Sequence, residues 1–243
     1  MRIPRVYCPV ELSLNTPIRL DDNAAHYLGK VLRMSAGRPL VVFNGRGGEY
    51  YGAITEVAKK YIEVTLDTYD GDERESPLAI ELAVGLSRGE RWDLVLQKAT
   101  ELGVTRIVPL VTERTEVKLK GERLEKKWQH WQQITISACE QCQRNRLPEL
   151  APLTLLSDYL ASADAEQKFV LHHRDSQGLP AALTPHSAAL LIGPEGGLSE
   201  DEIITARNAG FNPLTLGPRV MRTETAPLAA ISVLQYQWGD FAS

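Results

Sequence analysis

Between Leu190 and Ala226 the chain twice follows the same course: an apolar segment, a Gly-Pro turn, then a polar stretch that opens a helix. The first passage is Leu190-Leu191-Ile192-Gly193-Pro194-Glu195-Gly196-Gly197-Leu198, followed by Ser199. The second is Leu216-Gly217-Pro218-Arg219-Val220-Met221-Arg222-Thr223-Glu224-Thr225-Ala226. A buried-type strand that ends in a rigid turn and leads into a helix belongs to a layered α/β fold. In open α/β sheets ligands bind at the carboxyl ends of strands, so both turns lie where a cofactor would sit.

The rest of the C-terminal part agrees. Leu78 to Leu86 alternates as a strand. Gly89 to Leu102 places Trp92, Val95, Leu96, Ala99 and Leu102 on one helical face, with Gly103 as its terminator. Arg106 to Val111, Lys168 to Leu171, Ala188 to Ile192 and Pro213 to Leu216 read as further strands. Glu122 to Arg144 is a long helix with an inward stripe of Leu124, Trp128, Trp131, Thr135, Ala138 and Cys142; its tryptophans suit packing better than base stacking. Ser199 to Ala209 carries a capping box, Ser199 with Glu202, and Thr223 to Trp238 is the last helix. Strands alternating with helices predict a parallel sheet.

Residues 1–66 follow another grammar. Pro39–Phe43, Tyr50–Val57 and Tyr61–Leu66 are short β-type runs separated by Asn44–Gly48 and Lys59-Lys60, with a short helix over Asp22–Leu32. Strands at that spacing predict a small barrel. Residues 67–75 carry five acids in nine positions and read as a linker. The expected division is a barrel over 1–70, a linker over 71–77 and an α/β domain over 78–243.

The 27 Lys and Arg against 31 Asp and Glu give a net charge of -4, which excludes an overall polycation. The charge is unevenly spread. Residues 1–66 hold nine Lys and Arg against six acids, 67–75 one against five, 76–150 twelve against ten, and 151–243 five against ten. No apolar run approaches the roughly 20 residues of a membrane span, and Met1-Arg2-Ile3-Pro4-Arg5 does not open a secretory signal, so a cytoplasmic protein is expected. Cys8, Cys139 and Cys142 are too few for a disulfide framework. The C-x-x-C at 139–142 lies in a helical pattern without a second such pair, which favours reduced structural thiols over redox or zinc chemistry.

Neither Gly-Pro turn is a Walker loop or a G-x-G-x-x-G fingerprint, which sets aside a nucleotide- or NAD-dependent enzyme. The Gly193–Gly197 turn alone fits a structural role as well as a ligand-binding one. In the second turn Thr223 and Glu224 are explained by helix capping. The two arginines are not, and they read as anion holders.

The pair LLIGPEGGLS and LGPRVMRTETAPLAAI resembles the signature of the SPOUT (trefoil-knot) RNA methyltransferases, and more narrowly the bacterial 16S ribosomal RNA (uracil-1498 N3)-methyltransferase family. The R-I-P-R start, H-Y-L-G-K-V-L-R-M (26–34) and E-Q-C-Q-R-N-R-L-P-E (140–149) are similar to that family as well, so the resemblance spans essentially the whole chain. Ala226-Pro227 is a minor departure, tolerable in a first helical turn.

The resemblance implies a PUA-like RNA-binding β-barrel followed by a knotted methyltransferase domain with a parallel sheet. It implies a homodimer that uses S-adenosyl-L-methionine, without a metal, to methylate N3 of a uridine in 16S rRNA within the small subunit. The implied cofactor residues are Leu171 and His172; Ile192, Gly193, Pro194, Glu195, Gly196 and Gly197; and Leu216, Gly217, Val220, Met221 and Thr223. Adjacent His172 and His173 would point to opposite faces of a strand and make no chelate.

Uracil N3 carries a proton and is a poor nucleophile until that proton leaves. Arginine can stabilise the resulting anion through the flanking carbonyl oxygens. Arg219 and Arg222 are the leading catalytic candidates, with Arg144, Asn145 and Glu140 as second-rank partners and Glu195 or Glu224 as proton acceptors. Arg144 and Arg146 suit a helix C-terminus equally well. The RNA-binding candidates are Arg2, Arg5, Lys30, Arg33, Lys59, Lys60, Arg144 and Asn145, with Tyr7, Tyr50 and Tyr51 near them in sequence. The alternatives are an RNA-binding protein that keeps the fold without activity, and a knotted methyltransferase acting on another RNA position or atom.

Overall fold

The structure is a computed structural model that describes residues 3–172, 179 and 183–242. The chain divides into two units, Met1–Glu75 with Cys139–Leu147, and Ser76–Ala138 with Pro148–Ser243.

In the first unit, β1 (Arg5–Tyr7), β2 (Pro17–Leu20), β3 (Pro39–Phe43), β4 (Glu49–Val57) and β5 (Ile62–Asp70) form a curled sheet in the order β1-β3-β4-β5-β2. All pairs are antiparallel except β1 with β3. Inward residues such as Val6, Leu40, Val42, Ile54, Val64 and Leu66 make its core. The predicted helix at Asp22 divides into α1 (Asp22–His26), capped by the Asp21 carboxylate, and a wider turn over Tyr27–Val31. There the Leu32 amide donates five residues back to the Tyr27 carbonyl, at 2.9 Å. Widened turns of this kind recur at functional sites.

In the second unit, β6 (Ala79–Gly85), β7 (Val104–Val111), β8 (Glu149–Leu150), β10 (Gln167–Leu171), β11 (Ser187–Ile192) and β12 (Asn212–Leu214) form a parallel sheet in the order β12-β10-β11-β6-β7-β8. A short β9 (Thr154–Leu155) also pairs with β7. Alternation along β6 sends Ile80, Leu82 and Val84 to one face and Ala83 to the other. The first face packs against α2 (Glu90–Glu101), α3 (Glu122–Cys142) and α6 (Thr225–Trp238). There Trp131 lies 5.5 Å from Trp92, ring centre to ring centre, as a packing anchor. The other face is covered by α4 (Leu156–Ser162) and α5 (Glu200–Asn208), the latter with both hydrogen bonds of the Ser199–Glu202 capping box.

Three details differ from expectation. Residues 67–70, expected to open an acidic linker, continue β5, because Thr68, Tyr69 and Asp70 find partners on β4. The long helix stops at Cys142, where Gln143 turns left-handed (φ 69°). The last strand ends at Leu214 rather than Leu216. Cys8 and Cys139 are buried, Cys142 is half-buried, and all three are free thiols.

Candidate active site at the carboxyl edge of the parallel sheet

Because β12, β10, β11 and β6 are neighbours and all parallel, their carboxyl ends emerge side by side. Leu171 pairs with Leu214, Val170 with Leu191 and Ile192 with Val84. The three predicted cofactor segments, at Leu171-His172, Ile192–Gly197 and Leu216–Thr223, therefore share one edge. Two hydrogen bonds fasten the first to the third: the His172 amide donates to the Leu214 carbonyl (3.2 Å) and the Thr215 hydroxyl to the His172 carbonyl (2.7 Å). His173 lies outside the described residues.

The Gly193–Gly197 turn is held from within and from outside. The Gly197 amide donates to the Pro194 carbonyl at 2.8 Å. A Cβ on Gly193 would meet the Gly197 backbone at 2.7 Å, so only glycine permits this fold. The Glu195 carboxylate accepts the Arg88 backbone amide at 3.0 Å and faces the Arg91 guanidinium at 3.6 Å. It thereby ties the turn to the segment that opens α2. Arg114 donates to the Gly196 carbonyl at 2.9 Å.

Sequence reasoning missed Arg88, Arg91, Arg114 and Gly85. A Cβ on Gly85 would come within 2.4 Å of the Pro194 nitrogen. The signal for Gly85 was present: Gly85-Leu86-Ser87-Arg88-Gly89 is a third strand–glycine–helix junction. The arginines show their role only when the chain is folded.

Two glycines leave room. Gly197 (φ 68°) and Gly217 (φ 82°) are left-handed, and a Cβ at either would meet nothing within 4 Å. Open backbone of this kind after β11 and β12, the two strands that flank β10, fits a ligand read through main-chain amides and carbonyls. In the same segment Arg219, Val220 and Arg222 are exposed, while Leu216, Met221, Thr223 and Glu224 are half-buried. The Arg222 carbonyl accepts the Thr225 and Ala226 amides at the start of α6. Neither arginine side chain has a hydrogen-bond or ion-pair partner among the described residues. No group of three or more His, Cys, Asp or Glu that could hold a metal lies among the described residues.

The RNA-binding candidates divide. Lys30, Arg33, Lys59 and Lys60 are exposed, and Gly29 beside Lys30 approaches Val57 and Ile62 of the hairpin that carries the two lysines. Arg2 lies outside the described residues. Arg5, Arg144 and Asn145 need correction, because they are buried inside the first unit rather than presented to RNA. The Arg5 side chain is 7% exposed and lies over the Phe43 ring. It donates to the Arg144 carbonyl (3.0 Å) and to Asn145 Oδ1, and faces Glu49 at 3.4 Å. Arg144 makes a two-pronged pair with Glu75, at 3.0 and 2.6 Å. Asn145 donates to the Asp72 carbonyl at 3.0 Å. Glu140 accepts the Tyr7 amide at 3.0 Å. Tyr50 packs on Tyr69, Tyr7 on Phe43, and the Tyr51 hydroxyl donates to Glu49; all three are half-buried.

Comparisons with known proteins agree with this geometry. Residues 74–235 match the family described as RNA methyltransferase domain, and residues 20–67 match RNA methyltransferase PUA domain. A solved putative methyltransferase from Legionella pneumophila, in complex with S-adenosylmethionine, is 43% identical with a TM-score of 0.96, covering 99% of this chain and 100% of its own. A ribosomal RNA small subunit methyltransferase E from Neisseria gonorrhoeae, also bound to S-adenosylmethionine, is 38% identical with a TM-score of 0.92 over 99% and 100%. The protein of the same name from Buchnera aphidicola subsp. Schizaphis graminum is 38% identical over 99% of each chain. With two domain matches in order and end-to-end similarity to such relatives, the chain belongs to the ribosomal RNA small subunit methyltransferase E family.

Proposed function

We propose that the protein transfers a methyl group from S-adenosylmethionine to N3 of one uridine in small-subunit (16S) ribosomal RNA. It acts as a cytoplasmic homodimer on the assembled subunit. The observation that carries this reading is the meeting of three loops on one sheet edge, with two arginines on one of them that have no partner among the described residues, in a chain similar from end to end to S-adenosylmethionine-bound relatives. A trefoil knot is part of the reading; the segment 173–182, which the chain end would pass, lies outside the described residues except for Leu179.

When bound, the cofactor supplies an electrophilic methyl on a sulfonium. Main-chain groups of His172, Gly193–Gly197 and Leu216–Met221 would hold it, and Gly197 and Gly217 leave room for it. Arg219 and Arg222 would direct N–H donors at the uracil carbonyl oxygens, which would stabilise the anion left when the N3 proton departs and orient the base. Glu195 fits a positioning role, since its carboxylate already holds the Arg88 amide and faces Arg91. Glu224, half-buried two residues after Arg222 in sequence, is the carboxylate left to receive the proton.

Mass spectrometry of small-subunit RNA from cells lacking the protein tests the substrate. Loss of 3-methyluridine at a single position is expected. RNA with an unchanged modification profile overturns the assignment.

A further inference from the structure

The second unit carries a run of cations that no ion pair or hydrogen bond among the described residues explains. Between Lys118 and Lys127 there are five Lys or Arg and two acids. All five, Lys118, Lys120, Arg123, Lys126 and Lys127, are exposed, and none has an ion-pair or hydrogen-bond partner among the described residues. The two acids, Glu122 and Glu125, occupy the first turn of α3, where they complement the helix dipole. Nearby cations behave differently: Arg88 is paired with Glu116, Arg91 with Glu195, and Arg114 is bound to the Gly196 carbonyl.

Packing sets the direction of the run. Val117 and Leu119 pack toward the core, so the alternating Lys118 and Lys120 face outward. On α3, Leu124 and Trp128 pack inward and leave Arg123, Lys126 and Lys127 on the solvent side. The run also has a fixed starting point. The segment that leads into it leaves the carboxyl end of β7, on the same edge as the cofactor loops, and Arg114, four residues before Lys118, is bonded to the Gly193–Gly197 turn.

We propose that Lys118, Lys120, Arg123, Lys126 and Lys127 form a phosphate-binding track that holds the RNA backbone flanking the target nucleotide, on the catalytic unit itself. The inference rests on the RNA-methyltransferase reading above and adds a surface to it. Exposed cations without a partner among the described residues, on the unit that must receive a polyanion, bind it by releasing its counterions. Such contacts set position rather than sequence. The track therefore holds the strand, while the loops of the sheet edge select and react with the base.

The test uses the full-length chain with all five residues replaced by glutamine (K118Q, K120Q, R123Q, K126Q, K127Q), and the smaller K126Q/K127Q pair in case the larger set affects folding. Glutamine retains helix propensity. Binding to protein-free small-subunit RNA is measured across a salt series. The expected result is at least tenfold weaker binding at low salt for the larger set. The log–log salt slope should shrink by about 0.7–0.9 for each phosphate that is no longer neutralised. S-adenosylmethionine affinity should be unchanged, and KM for the RNA substrate should rise with little change in kcat. Arginine in place of each lysine should preserve both affinity and slope.

Unchanged affinity and slope in both variants would overturn the track. So would a loss confined to whole subunits with protein-free RNA bound normally, which would assign the run to an acidic protein surface. Absence of methyl transfer by the unaltered chain is a separate outcome. It refutes the underlying reading, while the binding series still decides the track.

Discussion

The Thr215 hydroxyl donates to the His172 carbonyl at 2.7 Å, bridging the ends of two neighbouring parallel strands separated by 43 residues of sequence. With the His172 amide on the Leu214 carbonyl, it closes the gap between the segment after β10 and the arginine-bearing segment after β12. Thr215→Val keeps the shape of the side chain and removes the donor. A hydrogen bond of this kind contributes about 0.5–1.5 kcal/mol net, so S-adenosylmethionine affinity should fall roughly 2- to 10-fold. Titration calorimetry measures it. Unchanged affinity would show that the bond does not shape the cofactor site.

Arg219 and Arg222 are exposed and make no side-chain hydrogen bond or ion pair among the described residues, so removing either should leave stability nearly unchanged. Donors aimed at charge that develops in the transition state are worth about 100- to 1,000-fold in rate. Arg219→Ala and Arg222→Ala should therefore lower single-turnover methyl transfer by about that factor, with RNA binding reduced far less. Equal losses in rate and binding would make them phosphate contacts instead.

The contrast between these arginines and Arg144 shows what is legible in the sequence. The Gly-Pro turns, the capping box at Ser199 and the alternating strands are readable because glycine, proline and polar caps act locally, through backbone geometry. The placement of the three loops on one edge follows from the strand–helix order. The two-residue β8 and β9 carry too few residues to show a period. Arg144 and Asn145 are expected as RNA contacts from their place in E-Q-C-Q-R-N-R-L-P-E, because a polar side chain after a helix looks the same in sequence whether it faces solvent or the interior. Their burial depends on Glu75 and Asp72, about seventy residues away, and no local pattern records that meeting.

Arg144 is almost wholly buried and fixed by two hydrogen bonds to Glu75, so the pair is sensitive to losing one member. Removing one partner of a buried ion pair costs about 3–5 kcal/mol, because the other charge stays behind without compensation. Arg144→Ala should destabilise the first unit by that order in urea denaturation. Arg144→Met combined with Glu75→Leu should be milder than Arg144→Ala. If Arg144→Ala left stability intact but weakened RNA binding, the residue would regain the RNA-contacting role expected of it.

Glu140 supplies a pH-dependent test of the same unit. Burial pushes its carboxyl above the usual carboxylate range, and the bond from the Tyr7 amide and the field of Arg5 only partly oppose this. The folded chain therefore holds the Glu140 proton more tightly than the unfolded chain. The stability this contributes is complete below the ordinary value of 4.5 and is lost as pH rises through the higher folded value. Glu140→Gln stays neutral and keeps an oxygen that can accept the Tyr7 amide. The melting temperature of the variant should gain on that of the unaltered protein as pH rises above 4.5, then level off once pH has passed the raised folded value. A variant that loses ground over that range would show that the attraction to Arg5 outweighs the cost of burying the carboxylate.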